Sequence, residues 1–364
     1  MMIMKRVLVL SLTLAVARCL HIASPPSGRT QVRLHSLNAD FEAGMQRRAE
    51  AERQLLEPNS SELRAPSAKK ADAKRGVGFA ASAGAKRAAA TSASARVLKK
   101  EGILYVPSAL SEATAAALRE VALAEFENAR SAVAEGTSTS ISRFHVPVEQ
   151  PTRSFLLLPL QEDADLPDGG VAIKNALREL ITGTMGDLWS STLGGEECEF
   201  YDCYVLRTSP GSARQMIHSD TPFQQTPPLM AAFVALQDVT KGMGPTTFLP
   251  RTHIETPSRR SFDGQGDGKD AMLGKTKSKF ALLKAGDAAL FDMRILHGGA
   301  ANEVDGGAER LMLCVTFRNR AANDVALAHK PCIRAGYKHA MRLSDVRREL
   351  DASEPFAAFG SGLL

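Results

Sequence analysis

The chain has 364 residues, with 45 Lys and Arg against 40 Asp and Glu, a net charge of +5. With 44% hydrophobic and 23% charged residues it can bury a core, and it is not collagen-like, coiled-coil or wholly disordered. No apolar run approaches the ~18 residues that a membrane-spanning helix needs. The basicity is local: residues 1–100 hold 18 Lys and Arg against 7 Asp and Glu, a charge of +11, which leaves −6 for residues 101–364. No nucleic-acid-binding motif accompanies that excess, which argues against nucleic acid as a partner.

In chain order, Lys5 and Arg6 precede an apolar run over residues 7–17 that ends in Ala15-Val16-Ala17. A basic start, a short apolar core and small residues at a cleavage spacing form a signal-peptide pattern over residues 1–17. A short buried helix or an uncleaved anchor is the alternative. Residues 18–96 are rich in Arg, Lys, Ser and Ala and poor in acids, and they read as a disordered leader or a transit-like segment. Behind a signal peptide such a segment suits a plastid; the endoplasmic reticulum lumen or the outside of the cell are the other destinations. Residues 41–57 have the composition of a short exposed helix. The five cysteines have no CxxC spacing, and a Cys198–Cys203 bridge is conceivable but not expected.

The folded domain is expected over residues 97–322. Gly102–Pro107 reads as a strand. Ser111 caps a helix to about Ala134, with Leu118, Ala122, Phe126, Ala129 and Val133 on one stripe. A second helix runs from about Val171 to Leu193. Six short β-rich runs come next: Phe200–Thr208, Ala213–His218, Ala231–Gln237, Thr246–Leu249, Ala288–Leu296 and Leu311–Phe317. Two helices and then many short strands imply an α+β domain with a barrel or sandwich. The segment 254–279 is too long for a simple connection and reads as a lid or a disordered loop. Residues 323–364 form a polar tail with a short helix near Val346–Leu350.

The chemical signal is His218-Ser219-Asp220. In a strand the first and third residues share a face and can hold one metal together. His297 is the best third ligand, and two His with one carboxylate suit a non-haem Fe(II) centre with open positions. Taken singly, each His is as readily a hydrogen-bonded core or surface residue, and more so His145, His253, His329 and His339. Further on, alternation puts Arg310, Met312, Cys314 and Thr316 on one face, and Leu311, Leu313, Val315 and Phe317 on the other. If the apolar face meets the helices, Arg310 points into the barrel, where a guanidinium needs an anion. A dicarboxylate held bidentately would serve, as would a structural ion pair with Asp292 or Glu309. Thr221, Phe223 and Gln224 line the pocket or form an ordinary turn. Arg259, Arg260, Lys275, Lys277 and Lys279 cover an anionic substrate or form a solvated face.

Over about Lys100–Arg320 the sequence resembles the phytanoyl-CoA dioxygenase family of Fe(II)/2-oxoglutarate oxygenases. The resemblance rests on Lys100–Pro107 with Leu110-Ser111-Glu112, on His218-Ser219-Asp220, and on Leu236-Gln237-Asp238-Val239. It rests also on Gly244-Pro245-Thr246, Leu249-Pro250-Arg251-Thr252-His253, and His297-Gly298-Gly299 with Asn302 and Arg310. It implies an α+β fold with a double-stranded β-helix (jelly-roll, cupin-like) core flanked by N-terminal helices. It also implies His218, Asp220 and His297 as catalytic iron ligands and Arg310 as the 2-oxoglutarate anchor. The implied cofactors are Fe(II) and 2-oxoglutarate, with ascorbate as a candidate reductant. The implied activity is hydroxylation of a small-molecule or lipid-like substrate with release of succinate and CO2. A catalytically inactive binding module of the same fold is the alternative. Asp220 speaks against a halogenase, and Arg310 against the prolyl hydroxylases, which anchor the co-substrate with Lys. Three positions depart from the family pattern. Arg251 replaces a Gly, Gly299 stands where many members have Ser, and Arg310 lies further from His297, with Gly306-Gly307 to absorb the difference.

Overall fold

The computed structural model describes residues 43–64, 83–136, 144–145, 152–158, 167–263, 268–323 and 341–352. The signal-peptide pattern of residues 1–17 lies outside these residues, as do His329 and His339. The chain divides after Arg47 into two compact units. Of the first, residues 43–47 are described and are helical. The second, Arg48–Leu364, contains all the described strands.

Parts of residues 18–96, read from composition as a disordered leader or a transit-like segment, are helix or strand. Helix α1 (residues 43–56, of which 48–56 belong to the second unit) leads into strand β1 (Ser60–Glu62), and helix α2 covers Ala83–Glu101. Leu56, Leu63 and Leu98 are buried. Helix α1 falls where the composition of 41–57 placed one, but α2 and the burial of Leu56 and Leu63 were not expected, because a few apolar side chains in a polar, Ala-rich background suffice once a preformed surface receives them.

Strand β2 (Ile103–Val106) and helix α3 (Glu112–Ala134) fall as expected, and Ser111 accepts a hydrogen bond from the Thr114 backbone N–H as an N-cap does. The second expected helix is two, α4 (Pro167–Thr182) and α5 (Thr184–Thr192). The break falls at Gly183, which has extended backbone. Before them come β3 (Phe144–His145) and β4 (Arg153–Leu157). The strand-rich part holds β5 (Glu199–Thr208), β6 (Leu229–Ala235), β7 (Thr246–Leu249), β8 (Ser278–Phe280), β9 (Ala288–Asp292), β10 (Leu296–Gly299) and β11 (Arg310–Arg318). The expected run 288–296 is thus two strands around a turn. The long segment 254–279 carries helices α6 (Pro257–Asp263) and α7 (Gly268–Leu273) and leads into β8. Helix α8 (Leu343–Asp351) closes the described chain.

These strands form two sheets, one in the order β2-β9-β6-β11-β5-β4-β3, the other β1-β8-β7-β10. From β5 onward the chain passes back and forth between them, as a double-stranded β-helix does. The alternation expected of β11 is present. Leu311, Leu313, Val315 and Phe317 join the helix-side core with Trp189, Leu118 and Leu180. Met312 and Cys314 face the space between the sheets with Phe248 and Phe291. Cys198, Cys203 and Cys314 are free thiols, so the Cys198–Cys203 bridge is absent.

Arg251, one of the three departures, takes a left-handed φ of 67°. A Gly adopts that conformation without strain, whereas in Arg it costs about 1–2 kcal/mol. Its guanidinium grips the Glu101 carboxylate (2.7 Å) at the surface. An exposed pair contributes about 0–1 kcal/mol. We therefore expect Arg251→Gly to change the unfolding free energy by less than about 1 kcal/mol. Arg251→Ala keeps the strain and loses the pair, and is expected to be the more destabilising of the two in urea denaturation.

Candidate functional site

No strand carries His218. The stretch 213–218 forms one antiparallel bridge with β10, His218 to His297, and the Gln215 N–H also donates to the Gly299 carbonyl (2.9 Å). The His218 N–H donates to the His297 carbonyl (2.9 Å) and the His297 N–H to the His218 carbonyl (2.8 Å). This pairing sets the two imidazoles side by side, ring centres 4.7 Å apart. The Asp220 N–H donates to the Met293 carbonyl (3.1 Å). Ligand atoms of His218, Asp220 and His297 all lie within 4.8 Å of one another.

The arrangement fits a metal ion on its own chemistry. Nδ1 of His218 meets the Met216 carbonyl (2.8 Å), and Nδ1 of His297 the Ile295 carbonyl (3.1 Å). A carbonyl only accepts, so each Nδ1 carries the proton and each Nε2 presents its lone pair. The two Nε2 atoms stand 3.6 and 3.4 Å from the Asp220 oxygens. Those spacings exceed a strong hydrogen bond. They approach the ~3 Å between neighbouring ligands on an ion with bonds of ~2.1 Å. Desolvation alone would lower the His218 pKa, but the nearby Asp220 carboxylate and the Met216 carbonyl outweigh it and raise it. The carboxylate thus favours positive charge at this place. His297 is 5% exposed and His218 41%, so access is from the His218 side. Behind them the His297 ring lies near-parallel to Phe248 (5.7 Å) and against Phe291 (5.3 Å).

Arg310 points between the sheets, as the alternation requires, and is 2% exposed. Its guanidinium donates to the Gly244 carbonyl and to Thr208 Oγ1 (3.0 Å), while Nε has no hydrogen-bond partner. Neither suggested ion pair forms. Asp292 holds Arg294 (2.5 Å), and Glu309 holds Arg207 (2.7 Å). Burial pushes the Arg310 pKa down to about 10. A small cavity beside it is lined by Phe233, Val239, Thr246, Phe248 and Met312. Phe248 is shared between this cavity and the His297 ring, so the two places adjoin.

A second arginine, absent from the residues selected by sequence pattern, belongs here. Arg153 on β4 pairs with Thr208 on β5, which pairs with Arg310 on β11, so the three residues form one row across the sheet. Arg153 is 2% exposed and, among the described residues, donates a long bond to the Ala213 carbonyl (3.5 Å), with no partner for Nε. Burial first, then the charge of Arg310, pushes its pKa down to about 9. A Cβ on Gly299 would come 2.8 Å from Arg153 Nη1. The glycine that departs from the family pattern thus makes room for this guanidinium. The signal for Arg153 was present in the alternation of Arg153, Phe155 and Leu157, the same pattern that exposed Arg310.

Other residues of the sequence motifs hold the frame. Thr221 is buried with no hydrogen-bond partner for Oγ1 and lies next to Asp220. The carbonyls of Gln224 and Gln225 accept from Arg294, whose guanidinium also lies over the Phe223 ring, so Phe223 and Gln224 belong to a stapled turn. Arg259 turns inward, 3% exposed, and reaches Ser219 Oγ (3.0 Å) between the two ligands. Arg260 pairs with Glu255 at the surface, and Lys275 and Lys277 are exposed. Asn302 ties the loop before β11 to the Thr208 and Ala308 carbonyls (2.9 and 2.8 Å). His253 reaches the Lys99 carbonyl (3.0 Å) and packs on Gly102, away from the metal-binding set.

A family model described as Phytanoyl-CoA dioxygenase (PhyH) matches residues 98–309, more than half of the chain, and the chain belongs to that family. No curated protein sequence matches. Solved structures with a similar fold include AviO1 from Streptomyces viridochromogenes Tue57, at 16% identity and a TM-score of 0.47 over 65% of this chain and 98% of that one. SnoN, a non-haem alpha-ketoglutarate-dependent epimerase from nogalamycin biosynthesis, matches at 18% identity and a TM-score of 0.41 over 67% of this chain and 93% of its own. HygX from Streptomyces hygroscopicus, solved with nickel and 2-oxoglutarate bound, matches at 14% identity and 0.40 over 63% and 87%.

Asp220→Ala and His297→Ala are each expected to abolish the visible d–d absorption of protein titrated with Co(II). His253→Ala is expected to keep one Co(II) per chain while lowering stability by about 1–3 kcal/mol, because it leaves the Gly102 turn unsupported.

Proposed function

We propose that this member of the phytanoyl-CoA dioxygenase family uses Fe(II) and 2-oxoglutarate to oxidise a small-molecule or lipid-like substrate, with hydroxylation as the outcome. The observation that carries the reading is a pair of buried guanidiniums with no carboxylate partner among the described residues. They adjoin a two-His, one-carboxylate set with its Nε2 atoms aimed at one point. A buried cation pair is costly unless an anion joins it. A dicarboxylate that can chelate a metal with one end and meet guanidiniums with the other satisfies both places at once.

When bound, Fe(II) and 2-oxoglutarate supply oxygen activation coupled to decarboxylation, which yields succinate and CO2. The protein's part is placement. His218, Asp220 and His297 would hold the ion from one side and leave its other positions for co-substrate and oxygen. Arg310 orients the far carboxylate and Arg153 adds a second charged donor from the same sheet. Phe248, Phe233 and Met312 keep the intervening space apolar, which strengthens the charge pairing. The substrate enters from the more exposed His218 side. Residues 1–17 would direct the chain into the secretory pathway, toward a plastid, the endoplasmic reticulum lumen or the outside; the N-terminal sequence of the mature protein tests this.

Anaerobic Fe(II) with 2-oxoglutarate should give a metal-to-co-substrate charge-transfer band that His218→Ala lacks, and air should then yield succinate. A folded sample with neither band nor succinate overturns the proposal. A band without succinate, in the presence of any substrate screened, leaves only a binding module. Gly299→Ala should displace Arg153 and weaken 2-oxoglutarate binding about 10–100-fold in calorimetry with Mn(II), the size of one lost charged hydrogen bond.

A further inference from the structure

The matched family region begins at residue 98, yet a segment well upstream packs against the metal-binding set. Glu52 on α1 is 1% exposed. One of its carboxylate oxygens accepts the backbone N–H of Ile217 (2.6 Å), the residue before His218. The other meets Arg48 Nε (3.1 Å) and Lys269 Nζ (2.8 Å). The Ile217 N–H has no place in the sheet. His218 spends its own N–H and carbonyl on β10, so by the alternation of an extended chain the amide of Ile217 faces the opposite way. Without Glu52 it would be an unpaired donor under α1, and the segment would lose this tie on the side away from β10, keeping on the β10 side the His218–His297 exchange and the Gln215 N–H to Gly299 carbonyl bond (2.9 Å).

The side chains repeat the arrangement. Ile217 and Leu296 immediately precede the two His ligands and point away from them. Both pack with Leu56 of α1, Met272 and Leu273 of α7, and Leu249. Beyond α1, β1 adds a parallel strand to β8, pairing Ser60 with Ser278 and Glu62 with Phe280, and the Leu63 N–H donates to the Phe280 carbonyl (2.9 Å). Asn59 reaches the Gly274 carbonyl (2.9 Å). One continuous segment is therefore bonded to the outer edge and the outer face of the smaller sheet, directly behind both imidazoles.

We propose that residues 48–63 are a built-in part of the metal site, with Glu52 a positioning residue for His218, and that the mature protein keeps them. Any N-terminal processing then ends upstream of Arg48. This rests on the metal assignment of His218, Asp220 and His297, and the two fail differently: His218→Ala abolishes Co(II) binding whatever Glu52 does.

The test uses the full chain. Glu52→Ala should weaken Co(II) binding about tenfold or more, the usual effect of losing a group that orients a metal ligand, and should alter the Co(II) d–d spectrum. Glu52→Gln keeps an acceptor for the Ile217 N–H and should restore both to near the wild-type values. Asp270→Asn removes the exposed partner of Arg48 on α7 and should leave both unchanged. A Glu52→Ala protein that melts earlier but binds Co(II) with unaltered affinity and spectrum overturns the proposal. Equal weakening by Asp270→Asn also overturns it. Should Glu52→Ala fail to fold, the pair Glu52→Gln and Leu56→Ala decides: Leu56→Ala should change the spectrum and Glu52→Gln should not. A mature N-terminus beyond Leu63 overturns it independently.

Discussion

Two backbone hydrogen bonds, exchanged between His218 and His297, are the constraint on which the site depends. They join an irregular stretch to a short strand and bring together two imidazoles that lie far apart in the chain. Everything near them either feeds that pairing or uses it. The carbonyls of Met216 and Ile295 set both ring tautomers, so the same two segments provide the candidate ligands and the groups that orient them. Arg259 enters from the long segment after β7 to hold Ser219, and Glu52 enters from far upstream to hold Ile217. The ligand run is thus fixed on both sides by charged groups that are themselves buried.

The second organising feature is electrostatic. Most buried ions here are paired within the protein: Asp292 with Arg294, Glu199 with Arg318, and Glu52 with Lys269. Arg153 and Arg310 differ, since they sit in one row with Thr208 between them and no carboxylate against either guanidinium among the described residues. Burial lowers the affinity of both for protons, and the charge of Arg310 lowers that of Arg153 further. A fold that keeps such a pair carries a standing demand for an anion. Gly299 belongs to the same design, because a side chain there would take the space that Arg153 fills.

Much of the fold was legible in the sequence because it rests on local patterns. Ser111 marked a helix start by its chemistry, and Gly102–Pro107 marked a strand by its apolar run. The alternation in 310–317 predicted which side chains meet the helices, and so that Arg310 points inward. The errors fall where local pattern is silent. The helix over 171–193 is broken at Gly183, and the strand over 213–218 is replaced by a single bridge. The bridge depends on a distant segment. Residues 58–63 and 83–96 read as leader because their own apolar content is low, and 48–57 as an exposed helix, yet the surface they cover completes their cores.

The sequence by itself singled out the candidate ligand set and determined the inward arginine. Residue type and spacing decide which atoms can bind a metal, and period-two alternation decides which face a side chain takes. Only the tertiary structure decided that Arg310 meets no carboxylate among the described residues, that Arg153 stands beside it, and that Glu52 accepts from the amide next to His218. Each of these is a relation between strands or helices distant in sequence. Charge pairing and close packing act through space, so no local pattern encodes them.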